Sequence, residues 1–271
     1  MTETRIGISG WVYPAWRSTF YPKGLPHRRE LEYAAEHLSS IEINGTFYAL
    51  QRPGSFQHWH DETPDGFVFA VKGGRFITHL KKLGDPEAPL ANFFASGVLA
   101  LGSKLGPVLW QLPPTLGYDE ERLVRFFETL PRTTAAAAAL AGQHDDRLTD
   151  DRVLTSTSVD QPIRHALEVR HDSFVTERFT DLLRAHDVAA VVADTAGRWP
   201  MLDAVTSDFV YVRLHGADEL YVSGYTEDAL DAWAERVRGW RDDGLDTYVF
   251  FDNDAKVRAP YDAMALMSRL G

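Results

Sequence analysis

Eight times along this chain a short run of apolar and β-branched residues ends on a polar side chain, with helical segments between most of the runs. The runs are Arg5–Ser9, Ser40–Asn44, Phe67–Lys72, Val108–Gln111, the stretch opening at Ala166, Ala189–Asp194, Val210–His215 and Thr247–Asp252. Strands that alternate with helices pair in parallel, and eight such units in 271 residues suit one closed barrel. An open doubly wound sheet would carry a glycine-rich phosphate turn after its first strand, and Gly7-Ile8-Ser9-Gly10 does not fit that fingerprint. The expected fold is therefore α/β, a single (β/α)8 TIM barrel over residues 1–271. Only Pro131–Pro162 breaks the rhythm. It reads as a surface insertion whose alanine run, Ala135–Ala141, is helical by propensity and whose remainder is polar.

Helical spacing predicts helices over Arg28–Leu38, Pro53–Asp61, Leu90–Leu105, Asp119–Leu130, Thr176–His186, Glu227–Asp242 and Pro260–Leu270. In the fourth of these, Leu123, Phe126, Phe127 and Leu130 share one face; in the sixth, Leu230, Trp233, Ala234, Val237 and Trp240 do.

Charge and composition remove several function classes. A formal net charge of −11 argues against a general nucleic-acid or anionic-membrane binder. With no cysteine there is no disulfide, catalytic thiolate or cysteine-ligated metal. The amino terminus enters an apolar run without a signal-peptide pattern, and no apolar stretch reaches the roughly 18–20 residues of a membrane helix. The expected location is the cytoplasm.

Side chains alternate faces along a strand, which separates inward from helix-facing positions. The inward strand-end residues are Ser9, Glu42 with Asn44, Lys72, Gln111, Glu168 with Arg170, Asp194, Arg213 with His215, and Asp252 followed by Asn253. Their outward neighbours, among them Ile8, Ile43, Val71, Val169, Val212, Leu214 and Phe251, are apolar. Barrel active sites form at the carboxyl ends of the strands, so the polar set reads as a site; the competing reading is a salt-bridge network that closes the barrel top. In the first reading Lys72, Arg170 and Arg213 bind an anion, and Glu168 with His215 or Glu42 moves protons. Asn44, Gln111, Asp194, Asp252 and Asn253 then contact substrate. Glu168 reads equally as the group that orients Arg170. Trp11 and Tyr48 offer an aromatic wall, while Trp16 and Phe20 read as hydrophobic caps. His144-Asp145-Asp146 has the composition of a metal site but sits in a polar loop.

No cofactor is expected. A divalent metal is the alternative, since Glu42, Glu168, Asp194, His215 and Asp252 offer suitable donors; the three cations of the same rim oppose it, and no His-Glu-x-x-His spacing is present.

Several motifs together resemble the YecE-like family, domain of unknown function 72. They are Gly7-Ile8-Ser9-Gly10-Trp11 with Trp16 and Phe20-Tyr21-Pro22; Glu42-Ile43-Asn44 with Phe47-Tyr48; Gln111-Leu112-Pro113-Pro114; Glu168-Val169-Arg170-His171; Tyr211 to Gly216; and Phe250-Phe251-Asp252-Asn253. The resemblance covers nearly the whole chain and implies a (β/α)8 barrel, but supplies no activity. The strand-eight motif departs from the family pattern, which more often has asparagine where Asp252 stands.

The expected function is metal-independent acid–base chemistry on a small anionic metabolite, such as a sugar phosphate or a nucleotide-derived compound. The alternatives are a metal-dependent isomerase or phosphoesterase, or a nucleic-acid-end binder of the endonuclease IV type, and a non-catalytic ligand- or partner-binding barrel.

Overall fold

The β-branched and aromatic runs form strands β1 (Thr4–Ser9), β2 (Ser40–Ile43), β3 (Val68–Lys72), β4 (Leu105–Gln111), β5 (His165–Glu168), β6 (Ala189–Asp194), β7 (Phe209–Leu214) and β8 (Asp246–Phe251). The computed structural model describes residues 2–271. Each strand pairs in parallel with the next, and β8 pairs back onto β1, with Gly7 opposite Phe250. The sheet is therefore a closed eight-stranded (β/α)8 barrel without an exposed edge.

Period-two alternation divides the core into two parts. Ile8, Ile41, Val71, Trp110, Leu167 and Val212 pack outward beneath the helices. Ala70, Leu109, Ala166, Ala189, Val191 and Ala193 line the lumen opposite Phe209, Tyr211, Tyr248 and Phe250. Small inward side chains on β3, β5 and β6 leave the space that the rings of β7 and β8 occupy, which is how a close-packed interior is reached.

The helices are α1 (Glu30–His37), α2 (Gly45–Tyr48), α3 (Pro53–Asp61), α4 (Glu87–Ala95), α5 (Glu120–Thr129), α6 (Thr134–Ala141), α7 (Glu177–Ala185), α8 (Glu227–Asp242) and α9 (Ala259–Leu270). Asp119, Thr133, Thr176 and Thr226 cap α5, α6, α7 and α8 by accepting a hydrogen bond from a backbone N–H three residues on. The segment 131–162 leaves and returns at one place, where Thr133 bridges Pro162 and Ile163 N–H donates to the Arg132 carbonyl at 2.9 Å. Within it Ala137, Ala141 and Leu148 are buried. No helix among the described residues is long and apolar enough to cross a membrane.

The single helical segment expected over Leu90–Leu105 is broken. The α4 helix ends at Ala95, Gly97 adopts φ +116°, and a 3₁₀ turn runs over Val98–Lys104. A Cβ at position 97 would lie 2.4 Å from Cα of Pro53, so α3 reaches this backbone only because no side chain intervenes. Gly97→Ala is expected to destabilise the fold by about 1–3 kcal/mol from backbone strain alone, and further through the clash. A urea-midpoint measurement checks it, and an unchanged midpoint would mean that α3 can shift freely. Between β6 and β7, residues 195–208 form no helix; Thr206 ties this loop to the barrel, its Oγ1 accepting from Ala190 N–H at 2.8 Å and donating to the Val188 carbonyl at 2.7 Å.

Candidate active site

At the carboxyl face the side chains converge on Arg213, which β7 projects into the lumen two residues after Tyr211. Its guanidinium is wholly buried. Nε and Nη2 donate to the two oxygens of Glu42 at 3.0 and 2.8 Å, a bidentate pair. Nη1 donates to Glu168 Oε2 at 2.7 Å, and Nη2 also to Asp252 Oδ2 at 2.8 Å. Burial disfavours the charge, but the three carboxylates outweigh it and hold the Arg213 pKa well above its ordinary value.

Glu42 is equally committed. Oε1 also accepts from Ser9 Oγ at 2.9 Å, and Oε2 from Tyr211 Oη at 2.7 Å. Glu168 Oε1 accepts from Gln111 Nε2 at 2.9 Å and from Arg170 Nε at 2.7 Å. Burial alone would raise the Glu168 carboxyl, yet Arg170, Arg213, His215 and Lys72 together hold it well below the usual carboxylate range. Arg170 stacks on Trp199, 3.8 Å from the ring centroid, and Nη2 donates to Tyr221 Oη at 3.2 Å. Its Nη1 has no acceptor among the described residues.

His215 is buried at the same face, with Nδ1 3.0 Å from Asp252 Oδ2 and Nε2 3.3 Å from Arg213 Nη1. Against burial, Arg213, His215 and Lys72 bring the Asp252 carboxyl down to about 2. Its Oδ1 has no hydrogen-bond partner among the described residues. Lys72, at the end of β3, is 8% exposed, and its ammonium lies 4.6 Å over the Phe47 ring. Burial first, and the Arg213 charge second, push the Lys72 amine down to about 8, with Glu42, Asp252 and Glu168 pulling the other way.

Ser9, Glu42, Lys72, Gln111, Glu168, Arg170, Arg213, His215 and Asp252 are thus brought together. Two expected members are not. On β6 the inward residues are Ala189, Val191 and Ala193, so Asp194 points to the helix side, where its Oδ2 accepts from Tyr225 Oη at 3.1 Å. Asn253 is likewise one residue off the inward parity; its Nδ2 donates to Asp262 of α9 at 2.8 Å and to the Ser223 carbonyl. Both residues brace loops. The assigned roles also change. Arg213, expected as an anion clamp, has its donors engaged by carboxylates. Glu42, expected to move protons, has two donors on each oxygen; Glu168, expected to do the same, has two on Oε1 and one, from Arg213, on Oε2.

Asn44 stands beside the cluster in a cleft of about 290 Å³ with Trp11, Tyr13, Tyr48 and Trp59, and its buried Oδ1 has no partner. Tyr48 is largely exposed at its rim, whereas Trp16 and Phe20 are buried caps. A larger cleft, about 760 Å³, opens at the amino ends of the strands; its Arg164 is occupied by Asp208 and Asp246. Sequence reasoning missed Tyr211, Trp199 and Tyr221. Tyr211 shares the inward parity of Arg213 and was within reach of the period-two rule; Trp199 and Tyr221 come from loops that carry no such periodicity.

Three cations (Lys72, Arg170, Arg213) offset three carboxylates (Glu42, Glu168, Asp252), so these six groups carry no net charge. No three His, Asp or Glu side chains among the described residues are grouped to ligate an ion. The guanidinium of Arg213 takes the place between Glu42, Glu168 and Asp252 that a cation would need.

Fold and rim together define a (β/α)8 barrel with a buried, internally paired charge cluster at its carboxyl face. Over residues 5–271 the chain matches the model of the family described as "Protein of unknown function DUF72", and it belongs to that family. It is similar to the UPF0759 protein YecE of Escherichia coli (strain K12), 32% identical over 127 residues, which are 46% of this chain and 44% of that protein. It is also similar to the UPF0759 protein YunF of Bacillus subtilis (strain 168), 27% identical over 44% of this chain and 43% of that protein. The matched part spans less than half the length of these curated relatives. Among solved structures, a DUF72 family protein from Thermotoga maritima superposes with a TM-score of 0.78 at 25% identity, covering 99% of both chains. One from Enterococcus faecalis superposes at 0.74 and 16% identity, covering 98% of this chain and 95% of the other.

Proposed function

We propose that this barrel carries out metal-independent acid–base chemistry on a small anionic metabolite, of the sugar-phosphate or nucleotide-derived kind, bound at the carboxyl face. One observation carries the reading. Within a cluster whose other polar atoms are largely paired, Arg170 Nη1 and Lys72 Nζ retain donors with no acceptor, and Asp252 Oδ1 retains an acceptor with no donor. Arg170 supplies the permanent charge, held in place by Trp199 beneath and Glu168 beside it. Asp252 receives a substrate hydroxyl. Lys72, brought down to about 8, is the group placed to exchange a proton near neutrality. Glu42 and Arg213 hold the frame.

The test is thermal unfolding with sugar phosphates, nucleotides and carboxylates, on wild type and on Arg170→Ala. A ligand at a hundred times its Kd stabilises the native state by about 2.7 kcal/mol, so a hit raises Tm in wild type. The rise is expected to vanish in Arg170→Ala. A rise that persists in the variant, or none for any anion, would sink the reading.

A further inference from the structure

We propose that Lys72 is a covalent nucleophile, forming a Schiff base with the carbonyl of a small anionic aldehyde or ketone. This rests on the anionic-metabolite reading above and narrows its substrate class.

The protein treats its two buried lysines in opposite ways. Lys104 Nζ donates to the His60 carbonyl at 2.6 Å, the Thr63 carbonyl at 2.7 Å and Thr63 Oγ1 at 3.2 Å, three acceptors for its three protons. Lys72 Nζ has no acceptor among the described residues, and no carboxylate oxygen pairs with it. The one partner of Lys72 among the described residues is the Phe47 ring, a weaker hold on an ammonium than the three oxygens around Lys104. A lysine desolvated beside another cation is the arrangement that frees an amine for attack on a carbonyl, and Arg213 is that cation here.

The backbone beneath Lys72 is held firmly. Its carbonyl accepts from Thr46 Oγ1 at 2.7 Å. Gly73 N–H donates to the Leu109 carbonyl at 2.8 Å, and a Cβ at Gly73 would lie 2.2 Å from the Trp110 ring, so that ring lies directly against the strand end. The chain then enters a π-helical turn over Phe76–Leu80, a geometry that often marks functional sites. Phe47 covers one side of the amine, and Arg170, whose charge acts on Glu168 and His79 together with that of Lys72, offers free donors to the substrate's anionic group.

The balance is simple. The neutral amine adds to the carbonyl carbon, its lone pair forming the C–N bond while the carbonyl π electrons move to oxygen, and one N–H proton passes to that oxygen. The carbinolamine takes up one proton from solvent, the C–O bond breaks, water leaves and a protonated imine remains. No oxidant or cofactor is required.

The experiment incubates wild type at pH 8 with pyruvate or dihydroxyacetone phosphate, reduces with sodium borohydride and maps the adducts by peptide mass spectrometry. Exposed Lys23, Lys82 and Lys256 serve as references within the same molecule. At that pH an amine with a pKa of about 8 has roughly a hundredfold larger free fraction than an ordinary lysine. Labelling at Lys72 is expected to exceed the references by at least about tenfold, allowing for the lower nucleophilicity of a less basic amine. It should fall in Arg170→Ala and disappear in Lys72→Arg. Even labelling across the lysines, or none, overturns the covalent role; if the Arg170-dependent thermal shift survives, the anion-site reading stands without it, and if that is also lost, both fall. Should Lys72→Arg not fold, the wild-type adduct map decides by itself.

Discussion

Arg213→Leu is expected to be the most damaging single substitution in this protein, lowering stability by on the order of 3–5 kcal/mol, the range for removing one partner from a buried ion pair. The leucine leaves Glu42, Glu168 and Asp252 facing one another without the guanidinium that joins them. Arg213→Lys keeps the charge but cannot reach Glu42 bidentately and Glu168 and Asp252 together, so it should fall between the two. Adding Glu42→Gln to Arg213→Leu removes one stranded charge and should restore part of the loss, a coupling that a double-mutant cycle measures. Denaturant midpoints for wild type, Arg213→Leu, Arg213→Lys, Glu42→Gln and the double variant check this. A wild-type midpoint for Arg213→Leu would show that the carboxylates do not depend on it.

Acid stability gives the second large effect. The carboxyls of Glu168 and Asp252 are both depressed in the folded state. Their stabilisation is complete above their unfolded values, roughly 4, and is lost as pH falls through the folded ones, about 2 for Asp252. For Asp252 alone this is roughly 2 kcal/mol at neutral pH. Asp254 runs the other way: burial and the neighbouring Asp252 charge push it up to about 6. The folded state therefore takes up a proton there before the unfolded chain does, and the Asp254 contribution to stability rises as pH drops from about 6 towards 4. Buried His165 opposes it: desolvation pushes its imidazole down to about 3, so the unfolded chain takes up that proton near 6.5 and stability is lost as pH falls below that value. Unfolding free energy followed from pH 7 to pH 2 should therefore decline slowly to about pH 4 and steeply below it. Asp254→Asn should steepen the decline between pH 6 and 4, and Asp252→Asn should lessen the fall below pH 4. An Asp254→Asn curve with the wild-type slope between pH 6 and 4 would contradict the Asp254 assignment.

The barrel was legible because eight strands each wrote an alternation of apolar and polar residues, and two independent periodicities, in strands and helices, agreed. Most of the site followed from the same rule. Where the rule was applied to the last residue of a strand instead of the last inward residue, it failed: Asp194 is one position out of phase and serves a loop, as does Asn253, which was added as the neighbour of Asp252. What could not be read was which polar atoms were already spent. Arg213 as an anion clamp and Glu42 as a proton carrier were sound by residue type, and only the three-dimensional pairing shows their hydrogen bonds saturated. Trp199 and Tyr221, which bear on Arg170 from two loops, carry no local signal, because loop side chains reach the site by tertiary geometry alone. The same holds for the break at Gly97, whose cause is a proline more than forty residues earlier.

The neutrality of the charge cluster has a consequence for encounter kinetics. A basic groove draws anions from a distance, and its association rate falls as salt is added. This barrel has no such funnel: the charges at its mouth cancel, and the molecule as a whole carries −11. On the proposed reading, an anionic ligand would approach against a weak repulsion and meet attraction only within about a Debye length of Arg170, roughly 8 Å at physiological ionic strength. Added salt would then hasten capture while weakening the grip that follows, and selectivity would be exercised after arrival, by fit against individual unpaired donors.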